Sequence, residues 1–323
     1  MATATARSTR DRLLVIDGPQ ARALVDESSL AGVLSRVLVA YSLGRTDTPA
    51  RIAARSGEGL LAVMPSFVPA TGMAAKIVSV FPGNRQVSKP PHQGVVALFD
   101  EIDGRPLAVI EGCAVTELRT AAVSWLAIER LAPSASQTLA VIGSGRQARA
   151  HLDAGLHRRE WSQVRVAARR QESLEAIAAD FPGLRIESTA EEAVQGAQVV
   201  ICCTDSRDPV IRREWLNPDA LLVSVGSGNE VESTIVSASR LVVEWRGAIS
   251  SRPPAGAEEL QGYDPSAASE LGELLDEGQG AQSCDAGLTL FKSTGLAVED
   301  LAVARLIFDV AQARGVGTSL AWS

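Results

Sequence analysis

The stretch Thr138-Leu-Ala-Val-Ile-Gly-Ser-Gly-Arg-Gln-Ala148 decides the fold, because it has the pattern of a buried strand, a Gly-x-Gly turn and a helix. Gly143 suits the tight turn, and Gly145 lets the backbone approach a pyrophosphate at the N-terminus of the helix. Ala148 stands at the third glycine position, where the motif permits alanine. The motif predicts a dinucleotide site. The alternative is a glycine turn that binds no nucleotide.

The sequence around this motif is typical of an α/β fold with a doubly wound parallel sheet. Apolar runs without clean alternation are separated by amphipathic helical segments, as in strands covered on both faces. The predicted strands are residues 138–142, 164–168, 199–203, 221–225 and 241–244, and the predicted helices are residues 147–157, 172–181 and 190–195. We therefore predict a Rossmann-type domain over residues 129–296.

The end of the second predicted strand indicates which nucleotide binds. A site for NAD usually has an Asp or Glu here, whereas the 2′-phosphate of NADP requires a nearby arginine. Ala168 is followed by Arg169 and Arg170, with no acid. We predict NADP(H); the alternative is that the two arginines only begin a solvated helix. The remaining predicted nucleotide contacts in this domain are Gly143, Ser144, Gly145, Arg146, Gln147, Thr204 and Val225.

The first third of the chain is predicted to be a mixed α+β domain. Its predicted strands are residues 13–16, 59–64, 73–79, 95–100 and 106–111, and its predicted helices are residues 29–43 and 116–131. Proline and glycine between the strands fit turns of an antiparallel or mixed sheet. Residues 301–313 are predicted to form a last helix.

Composition excludes several classes of protein. The chain has 323 residues, a formal net charge of −7 and 4% aromatic residues, which argues against nucleic-acid binding and a polybasic membrane surface. No apolar stretch is long enough for a signal peptide or a transmembrane helix, so we expect a cytoplasmic protein with a frayed tail over residues 1–10. The cysteines, at 113, 202, 203 and 284, lack metal-site spacing, so no metal is expected.

Three basic residues occupy positions where a surface role is hard to explain. Lys76 lies in an otherwise apolar predicted strand, Arg119 lies at a predicted helix start, and Arg51 follows a proline-containing turn. Together they could bind a carboxylate and hold its neighbouring carbon for hydride transfer. Each alone is also explained as an ordinary ion-pair partner.

A set of motifs resembles the ornithine cyclodeaminase/mu-crystallin family, in order and from about residue 49 to the last helix. The motifs are Met64-Pro65, Lys76, Pro90-Pro-His-Gln93, Glu111-Gly112, Thr116 with Arg119-Thr-Ala-Ala122, Gly143-Ser-Gly-Arg-Gln-Ala148 and Phe291-Lys-Ser-Thr-Gly-Leu-Ala-Val-Glu-Asp300. The resemblance implies a substrate-binding and dimerisation domain (residues 1–128 with 297–323), a central Rossmann domain, an active site between them and a homodimer.

The resemblance also implies roles for individual residues. Arg51, Lys76 and Arg119 would bind the substrate carboxylate, and Lys76 would serve as proton donor or relay, since burial is expected to lower its pKa. His92 would face the ligand cleft, or would only cap a loop. Further cofactor contacts would come from Thr120, Lys292 and Ser293, although residues 291–293 are also explained as a helix entry.

Two departures from the family bear on the reaction. Cyclodeaminases have a glutamate two residues before Met-Pro and an aspartate after the fifth nucleotide-domain strand; here these positions are Ala62 and Gly228. Mu-crystallin-type ketimine reductases lack both acids in the same way, and they use NADPH. A shifted acid, Glu230 or Glu232, remains an alternative.

The leading hypothesis is therefore NADPH-dependent reduction of small cyclic or linear ketimines adjacent to a carboxylate. One alternative is an amino-acid dehydrogenase, which either aminates a 2-keto acid reductively with ammonia or cleaves an N-substituted amino acid oxidatively. The others are an ornithine or lysine cyclodeaminase and a non-catalytic ligand-binding protein similar to mu-crystallin.

Overall fold

The computed structural model describes residues 12–226, 228–276 and 287–322. In chain order the elements are β1 (Arg12–Ile16), α1 (Gly18–Ala23), α2 (Glu27–Ser42), β2 (Ile52–Arg55), β3 (Leu60–Val68), β4 (Gly72–Val80), β5 (His92–Phe99), β6 (Pro106–Glu111), α3 (Gly112–Leu131), β7 (Thr138–Ile142), α4 (Arg146–Gly155), β8 (Gln163–Ala167), α5 (Gln171–Asp180), β9 (Arg185–Ile186), α6 (Ala190–Val194), β10 (Val199–Cys202), β11 (Leu221–Ser224), α7 (Ser233–Ala238), β12 (Arg240–Val243), α8 (Gly247–Ser250), β13 (Ser269–Glu270), α9 (Leu271–Leu275), β14 (Thr289–Lys292), α10 (Ala297–Arg314) and β15 (Thr318–Ala321). The predicted tail and Cys284 lie outside the described residues.

The chain forms two compact units. Unit 1 contains the described parts of Met1–Val33, Thr46–Thr116 and Ala297–Ser323, and unit 2 contains those of Leu34–Arg45 and Glu117–Leu296. The units change at 116/117 and at 296/297, and the segment Leu34–Arg45 also belongs to unit 2. The predicted functional domains, residues 1–128 with 297–323 and residues 129–296, stay a prediction. The helix α3 belongs to unit 2 from Glu117 because Trp125 packs there, where its Nε1 donates to the carbonyl oxygen of His151 over 2.9 Å.

Unit 2 is built on an all-parallel sheet of eight strands in the order β13-β12-β14-β11-β10-β7-β8-β9. The four central strands β7, β10, β11 and β14 are almost wholly buried, which explains their uninterrupted apolar sequence. The chain leaves β7 towards β8 and β9 and returns to β10 on the other side. This reversal is the switch point at which doubly wound sheets bind their ligands, and it confirms the predicted Rossmann-type fold.

Unit 1 is built on a mixed seven-stranded sheet in the order β15-β1-β6-β5-β4-β3-β2, in which only the β1–β6 pair is parallel among the described strands. The helix α10 packs across β3, β4 and β5. Alternation along these strands buries Ala62, Met64 and Lys76 on one face and leaves the other face more open. The predicted α+β unit is thus confirmed.

Most predicted elements are present with shifts of a few residues at their ends. The helix α10 begins at Ala297, four residues before the predicted start, and α3 begins at Gly112. The prediction missed β14, which is inserted between β11 and β12 and so places Lys292 and Ser293 at the carboxyl edge of the parallel sheet.

Candidate functional site

The glycine turn between β7 and α4 has the geometry that a bound pyrophosphate requires. Gly143 has a φ of +127°, and a Cβ there would lie 2.6 Å from the carbonyl oxygen of Cys203. Gly145 is the N-cap of α4; a Cβ added to it would meet no described atom within 4 Å. Gly143 is therefore required by the fold, whereas the open space at Gly145 fits the approach of a phosphate to the helix N-terminus.

Two predicted nucleotide-binding side chains have unused acceptors. Thr120 Oγ1 and Gln147 Oε1 are buried and have no hydrogen-bond partner among the described residues. Buried polar atoms in folded proteins are normally paired, so an orphaned buried oxygen points to a ligand or an ordered water. These two atoms therefore fit a nucleotide. Next to them, Ser144 is half-buried, and the exposed Arg146 forms an ion pair with Glu117 at 3.3 Å.

The two arginines after β8 are exposed at the same edge of the sheet. Ala168 is half-buried, and neither the Arg169 nor the Arg170 guanidinium makes an ion pair or hydrogen bond within the part of the chain that the structure describes. Their charges are thus available to a phosphate, as the sequence predicts for the 2′-phosphate of NADP.

Glu230 holds the loops that follow β10 and β11. Its carboxylate is fully buried and accepts from Thr204 N at 2.6 Å, Thr204 Oγ1 at 2.8 Å, Ser224 Oγ at 2.7 Å and Gly226 N at 2.8 Å. Each of the two oxygens accepts from two donors, so the hydrogen-bonding capacity of this buried side chain is satisfied within the protein. Thr204 and Val225, both predicted to contact the nucleotide, are placed by this carboxylate and by the strand ends that it joins.

Lys292 is fully buried, and its three N–H donors are all used. Its Nζ donates to Ser224 Oγ at 2.9 Å, the carbonyl oxygen of Gly226 at 2.7 Å and Glu259 Oε1 at 2.7 Å. These contacts fix the carboxyl edge of the sheet, and the predicted cofactor contact of Lys292 stays a prediction. The neighbouring Ser293 donates to Glu244 Oε1 over 2.6 Å, and its cofactor contact stays a prediction.

Lys76 is the centre of the polar site in unit 1. Its Nζ lies 2.9 Å from Oδ1 and 2.9 Å from Oδ2 of Asp300, in the first turn of α10, and 3.4 Å from Thr116 Oγ1. Both charged side chains are at most 5% exposed. Lys76 is therefore not an isolated buried cation, because Asp300 supplies a buried carboxylate at hydrogen-bond distance, and its expected role as proton donor or relay stays a prediction.

The other predicted carboxylate-binding residues divide between the units. Arg119, in unit 2, lies one turn beyond Thr116 in α3, is 6% exposed and has its guanidinium against Gly295. In unit 1, Arg51 is half-buried just before β2, and His92 is an exposed residue at the start of β5. The predicted roles of Arg119, Arg51 and His92 all stay predictions.

The positions that carry acids in cyclodeaminases are unsuited to them here. Ala62 is buried on the same face of the sheet as Lys76, and a Cβ at Gly228 would lie 1.9 Å from the carbonyl oxygen of Ser206. The alternative of a shifted acid is weak, since Glu230 has four donors. Glu232 accepts from Arg213 N and Thr234 Oγ1.

His151 and the two adjacent free cysteines, Cys202 and Cys203, lie within unit 2. Burial lowers the pKa of His151 to about 4, and its ring nitrogens are 2.6 Å from the carbonyl oxygen of Gln147 and 2.9 Å from Ser124 Oγ. Burial raises the pKa of Cys202 and Cys203. These groups are neutral and structural, as the sequence indicates.

Sequence reasoning assigned no role to Glu244, Asp300 or Glu259, all three buried acids. The signal that could have identified them is a charged residue within or beside an apolar run, which is how Lys76 was identified. Among the described residues no cluster of His, Cys, Asp and Glu could hold a metal ion, and no helix there is long and apolar enough to span a membrane.

Comparison with known proteins gives a consistent result. The profile of the ornithine cyclodeaminase/mu-crystallin family matches residues 20–315. A protein of Mus musculus named ketimine reductase mu-crystallin is 35% identical over 258 residues, covering 78% of this chain and 80% of the relative. A Delta(1)-pyrroline-2-carboxylate reductase of Bacillus cereus is 31% identical over 325 residues, covering 94% of this chain and 98% of the relative. The solved structure of the Thermococcus litoralis Delta(1)-pyrroline-2-carboxylate reductase with NADH and L-proline superposes with a TM-score of 0.87 at 27% identity, covering 94% of this chain and 99% of that one.

Proposed function

The chain belongs to the ornithine cyclodeaminase/mu-crystallin family, and on this premise we propose that it is an NADPH-dependent reductase of small imines whose C=N carbon carries a carboxylate. The products are cyclic or N-substituted amino acids. Relatives named ketimine reductase and pyrroline-2-carboxylate reductase support this reaction class.

The observation that carries reduction over cyclodeamination is the packing at Gly228. A cyclodeaminase uses carboxylates at this position and at position 62 for proton transfer and for the substrate amine. Any side chain at 228 would collide with the backbone of Ser206, and Ala62 is apolar and buried. Oxidation of an amine requires a base, whereas a preformed imine can take its proton before it binds. The absence of both acids therefore favours reduction.

Reduction adds a hydride to the imine carbon and a proton to its nitrogen. NADPH supplies the hydride when bound. Lys76 and Arg119 bind the substrate carboxylate, which fixes the imine carbon for transfer. Asp300 holds Lys76 through an ion pair. Lys76 either donates a proton to the imine nitrogen and is reprotonated from solvent, or only binds the carboxylate of an imine that was protonated before it bound.

The preference for NADPH rests on Arg169 and Arg170. Each charge-assisted contact to the 2′-phosphate contributes about 1.5–3 kcal/mol. We expect Arg169→Ala and Arg170→Ala each to weaken NADPH binding about tenfold or more and to leave NADH binding unchanged. The exposed Arg212, whose ion pair with Glu214 is 4.0 Å long, provides a matched control. Equal affinity of the wild type for NADPH and NADH, measured by titration calorimetry, would contradict the proposed preference for NADPH.

The open face of the unit 1 sheet supports a homodimer. Leu61 on β3, Met73 on β4 and Val95 on β5 are 47%, 44% and 37% exposed on the face opposite Lys76. Exposed apolar side chains on one sheet face are typical of an interaction surface, and a second copy of the same chain is the occupant that the family implies. Sedimentation equilibrium tests this: a monomer at micromolar concentration contradicts it.

An NADPH-oxidation screen tests the reaction. It compares Δ1-pyrroline-2-carboxylate and Δ1-piperideine-2-carboxylate with a 2-keto acid plus ammonia or methylamine. Turnover only with keto acid and ammonia would indicate an amino-acid dehydrogenase. Ammonia release from ornithine without net change in the cofactor would indicate a cyclodeaminase. Tight NADPH binding without turnover on any substrate would indicate a binding protein.

A further inference from the structure

The turn at residues 293–295 is held by a buried acid that the proposed reaction does not use. Glu244 follows β12 directly and the turn follows β14, and these neighbouring parallel strands end together, with Val243 paired to Lys292. The fully buried Glu244 carboxylate accepts from Ser293 Oγ at 2.6 Å, from Thr294 N at 2.8 Å and from Gly295 N. A buried charge is costly unless such donors compensate it, so Glu244 and the turn fix each other.

A second contact fixes the same turn. Trp245 donates its Nε1 proton to Thr294 Oγ1 over 2.9 Å. Gly295 then adopts a left-handed φ of +77°, which a glycine adopts without strain. Glu244 and Trp245, which follow β12, therefore hold residues 293–295, which follow β14. The last residue of this turn, Gly295, has a backbone conformation that favours glycine.

Gly295 lies against the guanidinium of Arg119. A Cβ at Gly295 would be 2.4 Å from Nη2, 2.5 Å from Nη1 and 2.6 Å from Cζ of Arg119, closer than side chains pack. Glycine has no side chain to hydrogen-bond Arg119, so this contact sets the position of the guanidinium without using a side-chain acceptor. A methyl group at this position would force the guanidinium to move, because it is the flexible end of a long side chain.

We propose that Glu244 and Gly295 are positioning residues that set the guanidinium of Arg119, and thereby the selectivity for imines that carry a carboxylate. This inference rests on the proposed function, in which Arg119 binds the substrate carboxylate. Hydrogen bonds between an arginine and a carboxylate depend on the alignment of the two planar groups. A displaced guanidinium loses part of this interaction.

The main test is the Gly295→Ala variant, compared with Gly196→Ala. Gly196 has the same φ of +77° but a Cβ there would meet no described atom within 4 Å, so it reproduces the backbone strain without the contact. In Gly295→Ala we expect the KM for Δ1-pyrroline-2-carboxylate to rise about ten- to a hundredfold. NADPH affinity and the kcat/KM for 1-pyrroline, which has no carboxylate, are expected to stay within twofold. Gly196→Ala keeps wild-type values.

The Arg119→Met background separates positioning from a general structural effect. If Gly295 acts through Arg119, then Gly295→Ala adds no further loss in Arg119→Met. Additive losses in the double variant, or an equal loss with 1-pyrroline, would overturn the proposal. Glu244→Gln, which keeps the shape of the side chain but removes an acceptor, should raise the same KM by a smaller factor and serves if Gly295→Ala does not fold.

A nitrogen-15 NMR experiment decides the geometry independently of activity. The Arg119 Nε–Hε resonance, assigned by its loss in Arg119→Lys, should shift in Gly295→Ala and not in Gly196→Ala. If the wild type reduces no imine, the proposed function fails while this resonance still reports on Arg119. An unchanged resonance in Gly295→Ala overturns the inference even if the enzyme is an active reductase.

Discussion

Replacement of Asp300 by asparagine should destabilise the protein strongly, because it removes the buried carboxylate charge that contacts the Lys76 side chain. Nζ of Lys76 lies 2.9 Å from each carboxylate oxygen, and both side chains are at most 5% exposed. Removal of one partner of a buried ion pair costs about 3–5 kcal/mol. Asparagine keeps one oxygen as an acceptor, so we expect a loss near the lower limit, about 3 kcal/mol.

Urea unfolding at pH 7 measures this loss, provided that the m-values of the variants agree. Lys76→Met should cost a similar amount, and the double variant less than the sum of the two by about 2 kcal/mol or more, because its remaining groups are uncharged. Asp309 provides the control, since it pairs with Arg305 on the same helix but is half exposed. Asp309→Asn should cost less than about 1 kcal/mol.

The contact between Lys76 and Asp300 also leads to a prediction for activity. If the carboxylate holds Lys76 in place, Asp300→Asn lowers kcat/KM for the carboxylate imine while NADPH affinity stays unchanged. A free energy of unfolding within about 0.5 kcal/mol of the wild type, or strictly additive losses in the double variant, would refute the reasoning about this buried pair.

Three further predictions follow from the described geometry. Gly145→Ala should fold like the wild type yet bind nucleotide at least tenfold more weakly. Gly143→Ala should instead lose stability, because its methyl group would meet the backbone of Cys203. Thermal unfolding measures the stability of the two variants, and calorimetry measures their nucleotide binding. Burial depresses the pKa of His151 from 6.5 to about 4, so its contribution to stability is present above pH 6.5 and is lost as pH falls towards 4, by up to about 3 kcal/mol. The slope of stability against pH in this window should decrease in His151→Gln, and an unchanged slope contradicts the assignment. Leu61→Glu on the open sheet face should convert the dimer to a monomer in sedimentation experiments, and a persistent dimer would place the interface elsewhere.

Local rules explain why the nucleotide-binding half was predictable from sequence. The strand, Gly-x-Gly turn and helix from Thr138 to Ala148 form a contiguous motif in which each residue type follows from backbone geometry. Lys76 was also recognisable, because a lysine in an apolar strand must have a partner.

The partners themselves were not predictable, because they come from distant parts of the chain. Asp300 lies 224 residues after Lys76, and only the packing of α10 on β4 brings them together. The same holds for Lys292, whose ion-pair partner Glu259 lies 33 residues earlier in the chain. A four-residue strand such as β14 is too short for hydrophobic periodicity to distinguish from a helix entry.

The most direct test of the proposed function is the steady-state rate of NADPH oxidation with Δ1-pyrroline-2-carboxylate, with proline measured as the product. We predict saturable turnover that forms one proline for each NADPH consumed and that falls at least tenfold in Arg119→Met. Tight NADPH binding without proline formation from this imine, and without product from any other carboxylate-bearing imine, would contradict the assignment as an imine reductase.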